Sequence, residues 1–375
     1  ADKKIAVEDF EALEFIEIHN PDTTPAAIGG WAITTGADYI FPAGTTIPAG
    51  GFLIVAADPT ALRAASSATA AATVLGPWKT GATLANKGET LTLASPGTTA
   101  GSWNTVDVVD YADEGDWAVR TRDALGGWSW VTGASGGGKS FERRNPRLAS
   151  TNGQNWGESA AAGGTPGAAN SLLAANVAPV ITGVKHSPAV PTSTEAVTIS
   201  ATIIDESTTS TPGATLYWRI ASTATPEAFA PLAMAGDSAG LFTAALPAMA
   251  DKTIVEFYVS ATDGTLTRTW PAPSSEGQNT NCTYQVDNEV VAGAAPIYRL
   301  VLTGAENAAY ATYTGGTGTT PGTPPRPGGG GQIGDRQFNF TLIASRGSDT
   351  TIRYLTSMRV RGNSSRNYTI KPLRI

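Results

Sequence analysis

Tyr39-Ile40-Phe41-Pro42-Ala43-Gly44-Thr45-Thr46-Ile47-Pro48-Ala49-Gly50-Gly51-Phe52-Leu53-Ile54-Val55-Ala56 carries the pattern that decides the fold class. Two apolar runs flank a turn rich in Gly and Pro. The second run, from Phe52 to Ala56, is apolar throughout and too short for a stable helix, so it reads as a buried β-strand. Upstream, Leu13 to Asn20 forms a strand closed by the turn Asn20-Pro21-Asp22, and Gly30-Trp31-Ala32-Ile33 forms another with an indole anchor. Downstream, Gly88 to Leu93 alternates cleanly, and Val106 to Tyr111 and Ser140 to Arg143 give further strands. An Ala-rich insertion from Ala61 to Ala72 predicts a short helix, and Leu125 to Gly138 reads as a Gly/Trp-rich loop. Strands at this spacing predict a β-sandwich.

Composition agrees. The 375 residues suffice for two or three domains. Charged residues make up 15%, against about a quarter in average domains, while 42 Gly and 24 Pro punctuate the chain. A net charge of -7 and a pI near 5.0 argue against a nucleic-acid partner. No apolar run has the length of a membrane-spanning helix. The sequence starts at Ala1 without Met, which is the expectation for an exported protein after signal-peptide removal. The lone Cys282 alternates with Thr280 and Tyr284 and reads as a small core residue of a strand.

Several stretches of the N-terminal region recur together in one family. They are Phe15-Ile16-Glu17-Ile18-His19-Asn20-Pro21, Gly30-Trp31, Phe41 to Gly51, Leu84-Ala85-Asn86-Lys87-Gly88-Glu89-Thr90-Leu91, and Asn155-Trp156 leading to Gly164-Thr165-Pro166-Gly167-Ala168-Ala169-Asn170. In this order they resemble the lamin-tail domain in its bacterial secreted form. The resemblance covers about residues 13–170 and implies an immunoglobulin-like sandwich without catalytic residues.

After a small-residue linker at 171–178, strands recur at Val180 to Val184, Val197 to Ile204, Thr215 to Ile220, Gly240 to Ala244 and Thr253 to Thr262. With the shorter runs between them, roughly seven short strands over about a hundred residues is the count for an immunoglobulin or fibronectin type III-like sandwich. Pro179-Val180-Ile181 and Phe257-Tyr258-Val259-Ser260-Ala261-Thr262-Asp263-Gly264 are similar to bacterial extracellular modules of that class, which usually act as spacers.

Near the end stand Arg359-Val360-Arg361-Gly362-Asn363-Ser364-Ser365-Arg366 and Lys371-Pro372-Leu373-Arg374-Ile375, a strand, a polar turn and a second strand. With Pro296 to Leu302 upstream they resemble the N-terminal part of the CotH family, the spore-coat-type atypical kinases. Pro372 departs from that pattern, where Lys or Ser is more usual. The resemblance implies a kinase-like parent whose metal- and nucleotide-holding carboxylates lie beyond Ile375, and no activity in the residues present. An apolar end inside a strand-like run is the expectation for a chain cut from a longer one. The Gly/Pro-rich stretch at about 314–331 is expected to be a mobile loop.

The resulting expectation is an all-β chain of tandem immunoglobulin-like β-sandwiches followed by an incomplete β-rich CotH-like segment. Its domains are 1–170, the linker 171–178, 179–290 and 291–375. Three candidate sites follow. Trp117, Trp128 and Trp130 form either an aromatic platform for sugars or peptides or a plug over the sandwich end. Asp107, Asp110, Asp113 and Asp116, with Glu114, are calcium candidates, although their spacing departs from the EF-hand loop and fits solvated loop charge. Arg359, Arg361, Arg366 and Lys371 form a basic patch that would face phosphates in a complete CotH-like domain. No cofactor is expected for this chain, and ATP with Mg enters only with downstream kinase-like residues. With two His and one Cys a His/Cys zinc site is implausible, and no nucleophile-elbow motif is present. The leading reading is a non-enzymatic extracellular or cell-surface module that displays or assembles on the envelope, with envelope, glycan, other protein modules or itself as partner. The alternatives are the accessory front of a CotH-like kinase, or a carbohydrate-binding module using the Trp residues.

Overall fold

A computed structural model describes residues 11–123, 126–207, 211–291, 295–313, 336–347, 349–360 and 373–374. The stretch at 314–331, the turn Gly362-Asn363-Ser364-Ser365, and Arg361, Arg366 and Lys371 of the basic patch lie outside them. The chain is all-β, and it divides into two units: Ala1–Val119 with Trp130–Val177, and Arg120–Ser129 with Ala178–Ile375. Among the described residues no helix is long and apolar enough to cross a membrane.

The first unit contains β1 (Phe15–His19), β2 (Ala26–Ala27), β3 (Ala32–Thr35), β4 (Tyr39–Ile40), β5 (Thr46–Ile47), β6 (Phe52–Ala56), helix α1 (Pro59–Ala65), β7 (Thr73–Leu75), β8 (Gly88–Pro96) and β9 (Trp103–Ala112). The chain then passes through β10 (Val119–Arg122) and β11 (Trp128–Val131), which pair with each other, to β12 (Phe141–Arg143) and β13 (Trp156–Glu158). The main sheets are β1-β6-β7 and β4-β3-β8-β9. Strand β6 explains why its sequence is apolar without alternation. Leu53 and Val55 enter the core with Ile28, Ile33, Phe41, Ile47 and Trp78, while Ile54 and Ala56 pack with Leu62 of α1 and Val74. A strand covered on both faces has no polar side to show. Helix α1 begins where Asp58 accepts hydrogen bonds from the Thr60 and Ala61 amides, and Pro59 occupies the first turn, where its missing N–H costs nothing. The stretch expected as a loop over 125–138 holds a strand instead. In Trp128-Ser129-Trp130-Val131 the aromatic rings alternate with exposed residues, the period of a half-buried strand.

The second unit continues with β14 (Val180–Ser187), β15 (Val197–Ile204), β16 (Gly213–Ile220), β17 (Ala230–Ala233), β18 (Ala235–Gly236), β19 (Leu241–Leu246), β20 (Ile254–Thr262), β21 (Thr267–Trp270) and β22 (Cys282–Gln285). The sheet β14-β15-β19-β18 faces the sheet β17-β16-β20-β21, to which β22 adds along β20. Ile181, Ile199, Leu216, Phe242, Val255, Phe257 and Tyr284 fill the space between. Cys282 is fully buried there, as its alternation predicts.

A further sheet, β23-β24-β25-β26, is made by β23 (Ile297–Val301), β24 (Gln337–Arg346), β25 (Asp349–Val360) and β26 (Leu373–Arg374). Its Phe338, Phe340, Met358 and Val360 pack with Tyr310 of helix α2 (Gly304–Thr312) and with Tyr313. A set of polar contacts and a packed side chain tie this sheet to the sandwich. The buried Thr283 N–H donates to the Thr341 hydroxyl at 3.0 Å, the two hydroxyls lie 2.8 Å apart, and Thr283 donates to the Val301 carbonyl at 2.9 Å. On β25 a bulge puts Leu355 at φ 58°, and the adjacent Tyr354 packs against the sandwich core.

Candidate functional site

The three indoles singled out in the sequence fall in different units: Trp117 and Trp130 in the first, Trp128 in the second. Trp117 meets Phe141 edge-on at 5.1 Å and Trp156 at 5.7 Å, and its ring presses on Gly153, where a Cβ would come within 2.8 Å of it. That is a packing role at the end of the first sandwich. Trp128 is covered by cations, with Arg122 Cζ 4.0 Å and Arg120 Cζ 4.7 Å from its ring centroid. Neither ring offers the bare face that sugar stacking requires.

Three of the acidic residues, Asp107, Asp110 and Asp116, have partners of their own. Asp107 accepts from the Ser150 hydroxyl and pairs with Arg143 at 3.5 Å; Asp110 accepts from Thr90 at 2.8 Å; Asp116 accepts from Gln154 Nε2 at 2.8 Å. Asp113 follows β9, its backbone N–H bonded to the Lys87 carbonyl at 3.4 Å. Among the described residues no group of three or more His, Cys, Asp or Glu side chains is placed to hold a metal ion. Of the basic patch, Arg359 sits on β25 opposite Arg374 of β26, and Val360 sits opposite Leu373, so the ends of the motif form an antiparallel pair.

Two polar clusters in the second unit had no sequence motif. The first surrounds His186, which is 2% exposed. Its Nε2 faces the Ala189 carbonyl at 3.0 Å and therefore carries the proton, leaving Nδ1 to accept from the Tyr354 hydroxyl at 2.5 Å. The same hydroxyl accepts the His186 backbone N–H at 3.0 Å. The imidazole stacks on Tyr284 at 5.2 Å, and burial pushes its pKa down to about 4. Burial likewise raises the Cys282 thiol and the Tyr354 phenol. The cluster is an aromatic contact that joins β14 to β25.

The second cluster gathers guanidinium groups. Arg120 and Arg122 come from β10, and Arg336 from the residue before β24. Arg122 donates to the Gly126 carbonyl at 2.9 Å and the Gln337 carbonyl at 3.3 Å, and pairs with Glu276 at 3.6 Å. Arg336 Cζ lies 5.2 Å from the Phe338 ring centroid. Glu306, in the first turn of α2, stands among them: burial raises its pKa, and the charges of Arg122 and Arg336 lower it. Thr303 and Glu306 occupy the spacing of a capping box, and the Thr303 hydroxyl accepts the Glu306 N–H at 3.2 Å. That signal could have located the helix in the sequence.

In the first unit Glu142 is buried and accepts from Thr165, Ser171 and the Leu172 amide. Burial pushes the nearby Glu17 up to about 7 against the pull of the Gly167 N–H, and Glu142 adds to the rise.

Comparison with known proteins bears on the first unit. The family model described as Lamin Tail Domain matches residues 2–113, so the first part of the chain is similar to that family. No curated protein matches the chain. Among solved structures, similarity is found to the uncharacterized protein lmo2446 from Listeria monocytogenes EGD-e, crystallised in complex with alpha-D-glucose, beta-D-glucose, magnesium and calcium. The identity is 13% and the TM-score 0.20, over 48% of this chain and 19% of that chain. The chain thus spans about a fifth of that protein's length.

Proposed function

We propose that the chain is a non-enzymatic extracellular or cell-surface module that displays or assembles on the envelope. The observation that carries this reading is the lamin-tail match over residues 2–113, a structural module of immunoglobulin type. It is supported by the way polar side chains are used. The buried carboxylate Glu142 is spent on hydroxyl and amide donors, and His186 on Tyr354 and a backbone carbonyl. These are cross-links within a scaffold. The test is binding of the purified, fluorescently labelled chain to intact cells of the source organism, with sedimentation velocity to detect self-association. Saturable cell binding or a defined oligomer is expected; a monomer that binds neither cells nor itself contradicts the reading.

A second reading, the accessory front of a CotH-like kinase, draws on one feature. The residues of the family's first strand form β23, which shares a sheet with β25 and β26, the strands carrying the ends of the Arg359 to Arg374 motif. Nucleotide binding and phosphotransfer by a longer natural protein would support it, and their absence there would remove it. The carbohydrate reading has the least support, since the Trp117 and Trp128 rings are occupied.

A further inference from the structure

One face of the sheet β23-β24-β25-β26 is covered along only part of its length. At one end Tyr310 of α2 and Tyr313 pack on Phe338. Further along the strands Tyr298, Ala344 and Thr351 stand in one cross-strand row, and Leu342 and Arg353 in the next. Side chains of paired residues share a face, and Leu342 and Ala344 follow Phe338 and Phe340 at the period of two. These five residues therefore lie on the same face as the α2 contact. They line a hollow of about 220 Å³. That is below the roughly 300–1,000 Å³ of sites for drug-sized ligands, and it suits a single ring.

The lining specifies the ring. Leu342 and the small Ala344 make an apolar floor, and Tyr298 beside them is 64% exposed. Arg353 is exposed, and among the described residues its guanidinium has neither an ion pair nor a hydrogen bond. The hydroxyls of Tyr298 and Thr351 likewise have no partner among the described residues. The free cation calls for an anion, and a carboxylate matches the fork of a guanidinium. A hollow on an open sheet face covers one side of its ligand only. An aromatic acid would leave its other apolar face in water. A pyranose has an apolar C–H face for the floor and a polar rim for solvent and hydroxyls. An extended peptide draws its affinity from backbone hydrogen bonds, which the face of a sheet does not offer.

We propose that the hollow between Tyr298 and Arg353 binds the ring of an acidic sugar, a hexuronate. The C–H face of the ring rests on Tyr298, Leu342 and Ala344, the carboxylate pairs with Arg353, and the Thr351 hydroxyl bonds a sugar hydroxyl. The site is separate from the indoles. It goes beyond the structural role proposed above and does not depend on it, since purified chain and soluble sugars test it without cells.

The test is an NMR titration of the full chain at pH 7, read at the amides of β23, β24 and β25, with methyl β-D-glucuronide, methyl β-D-glucoside, acetate and an N-acetylated, C-amidated glutamate. The glucuronide is expected to bind about tenfold more tightly than the neutral glucoside, the worth of one hydrogen-bonded charge pair. Acetate and the glutamate derivative, which lack the ring, should bind more weakly by a similar factor. Arg353→Gln should bring the glucuronide down to the level of the glucoside. Tyr298→Ala should weaken both sugars by about threefold or more. Added salt should weaken the glucuronide and spare the glucoside, a contrast that needs no variant. Equal affinity for glucuronide and glucoside would remove the role of Arg353. Acetate or the glutamate derivative matching the glucuronide would make this a site for acidic peptides. Either result, or a glucuronide that gives no saturable shift, would overturn the proposal.

Discussion

His186 and Glu17 show how a single buried ionisable group sets a pH dependence. The folded-state pKa of His186 is lowered to about 4 by burial. At neutral pH the ring is uncharged in the folded and the unfolded chain alike. As pH falls through 6.5 the unfolded chain takes up a proton that the folded one refuses, so stability drains away down to about pH 4. The loss amounts to about 3 kcal/mol. Chemical denaturation of the second unit at stepped pH should show it, and His186→Gln should flatten the slope between pH 6.5 and 4. An unchanged slope would place the titrating group elsewhere. Glu17 works in the opposite sense. Its folded pKa is raised to about 7, so its stabilising effect is complete below pH 4.5 and is lost as pH climbs toward 7. That loss is also about 3 kcal/mol. Glu17→Gln should remove the pH dependence of the first unit in that window, read by hydrogen exchange of β1 and β6 amides.

Between elements, the clasp formed by Thr283 and Thr341 decides how the sheet β23-β24-β25-β26 is attached. Thr341→Val keeps the shape of the side chain but strands the buried Thr283 N–H. The cost is expected to be about 1–3 kcal/mol, measurable as a lower denaturation midpoint of the second unit. A change below about 0.5 kcal/mol would mean the contact is not made. This clasp was not legible in the sequence, because two Thr residues 58 positions apart carry no local pattern. What was legible were the strands. β6 showed itself by five apolar residues with no polar face, β8 by alternation, and Cys282 by its place in an alternating run. α2 announced itself only through Thr303 and Glu306, since its alanines give a weak apolar stripe. The candidate sites were less legible. Trp128 was visible as an aromatic, yet its cover comes from Arg120 and Arg122 on the paired strand, which depends on register. Arg336 and Glu306 meet only because α2 packs on the sheet that β24 builds.

For the whole molecule, the two units should answer pH in opposite directions. The stability of the first falls from pH 4.5 toward 7, and that of the second rises from about pH 4 toward 6.5. Scanning calorimetry between pH 4 and 8 should therefore resolve two transitions that shift against each other, whereas parallel shifts would contradict both assignments. Residues 2–113 match the lamin-tail family, and the described residues are all-β; the proposal of a structural module rests on these two observations. Display at the cell surface is the central claim built on them. It is tested most directly by protease shaving of intact cells of the source organism, followed by immunoblotting with antibodies raised against the first unit. Disappearance of the signal from unbroken cells, while a cytosolic marker survives, is the expected result. A signal that resists the protease until the cells are lysed would contradict it.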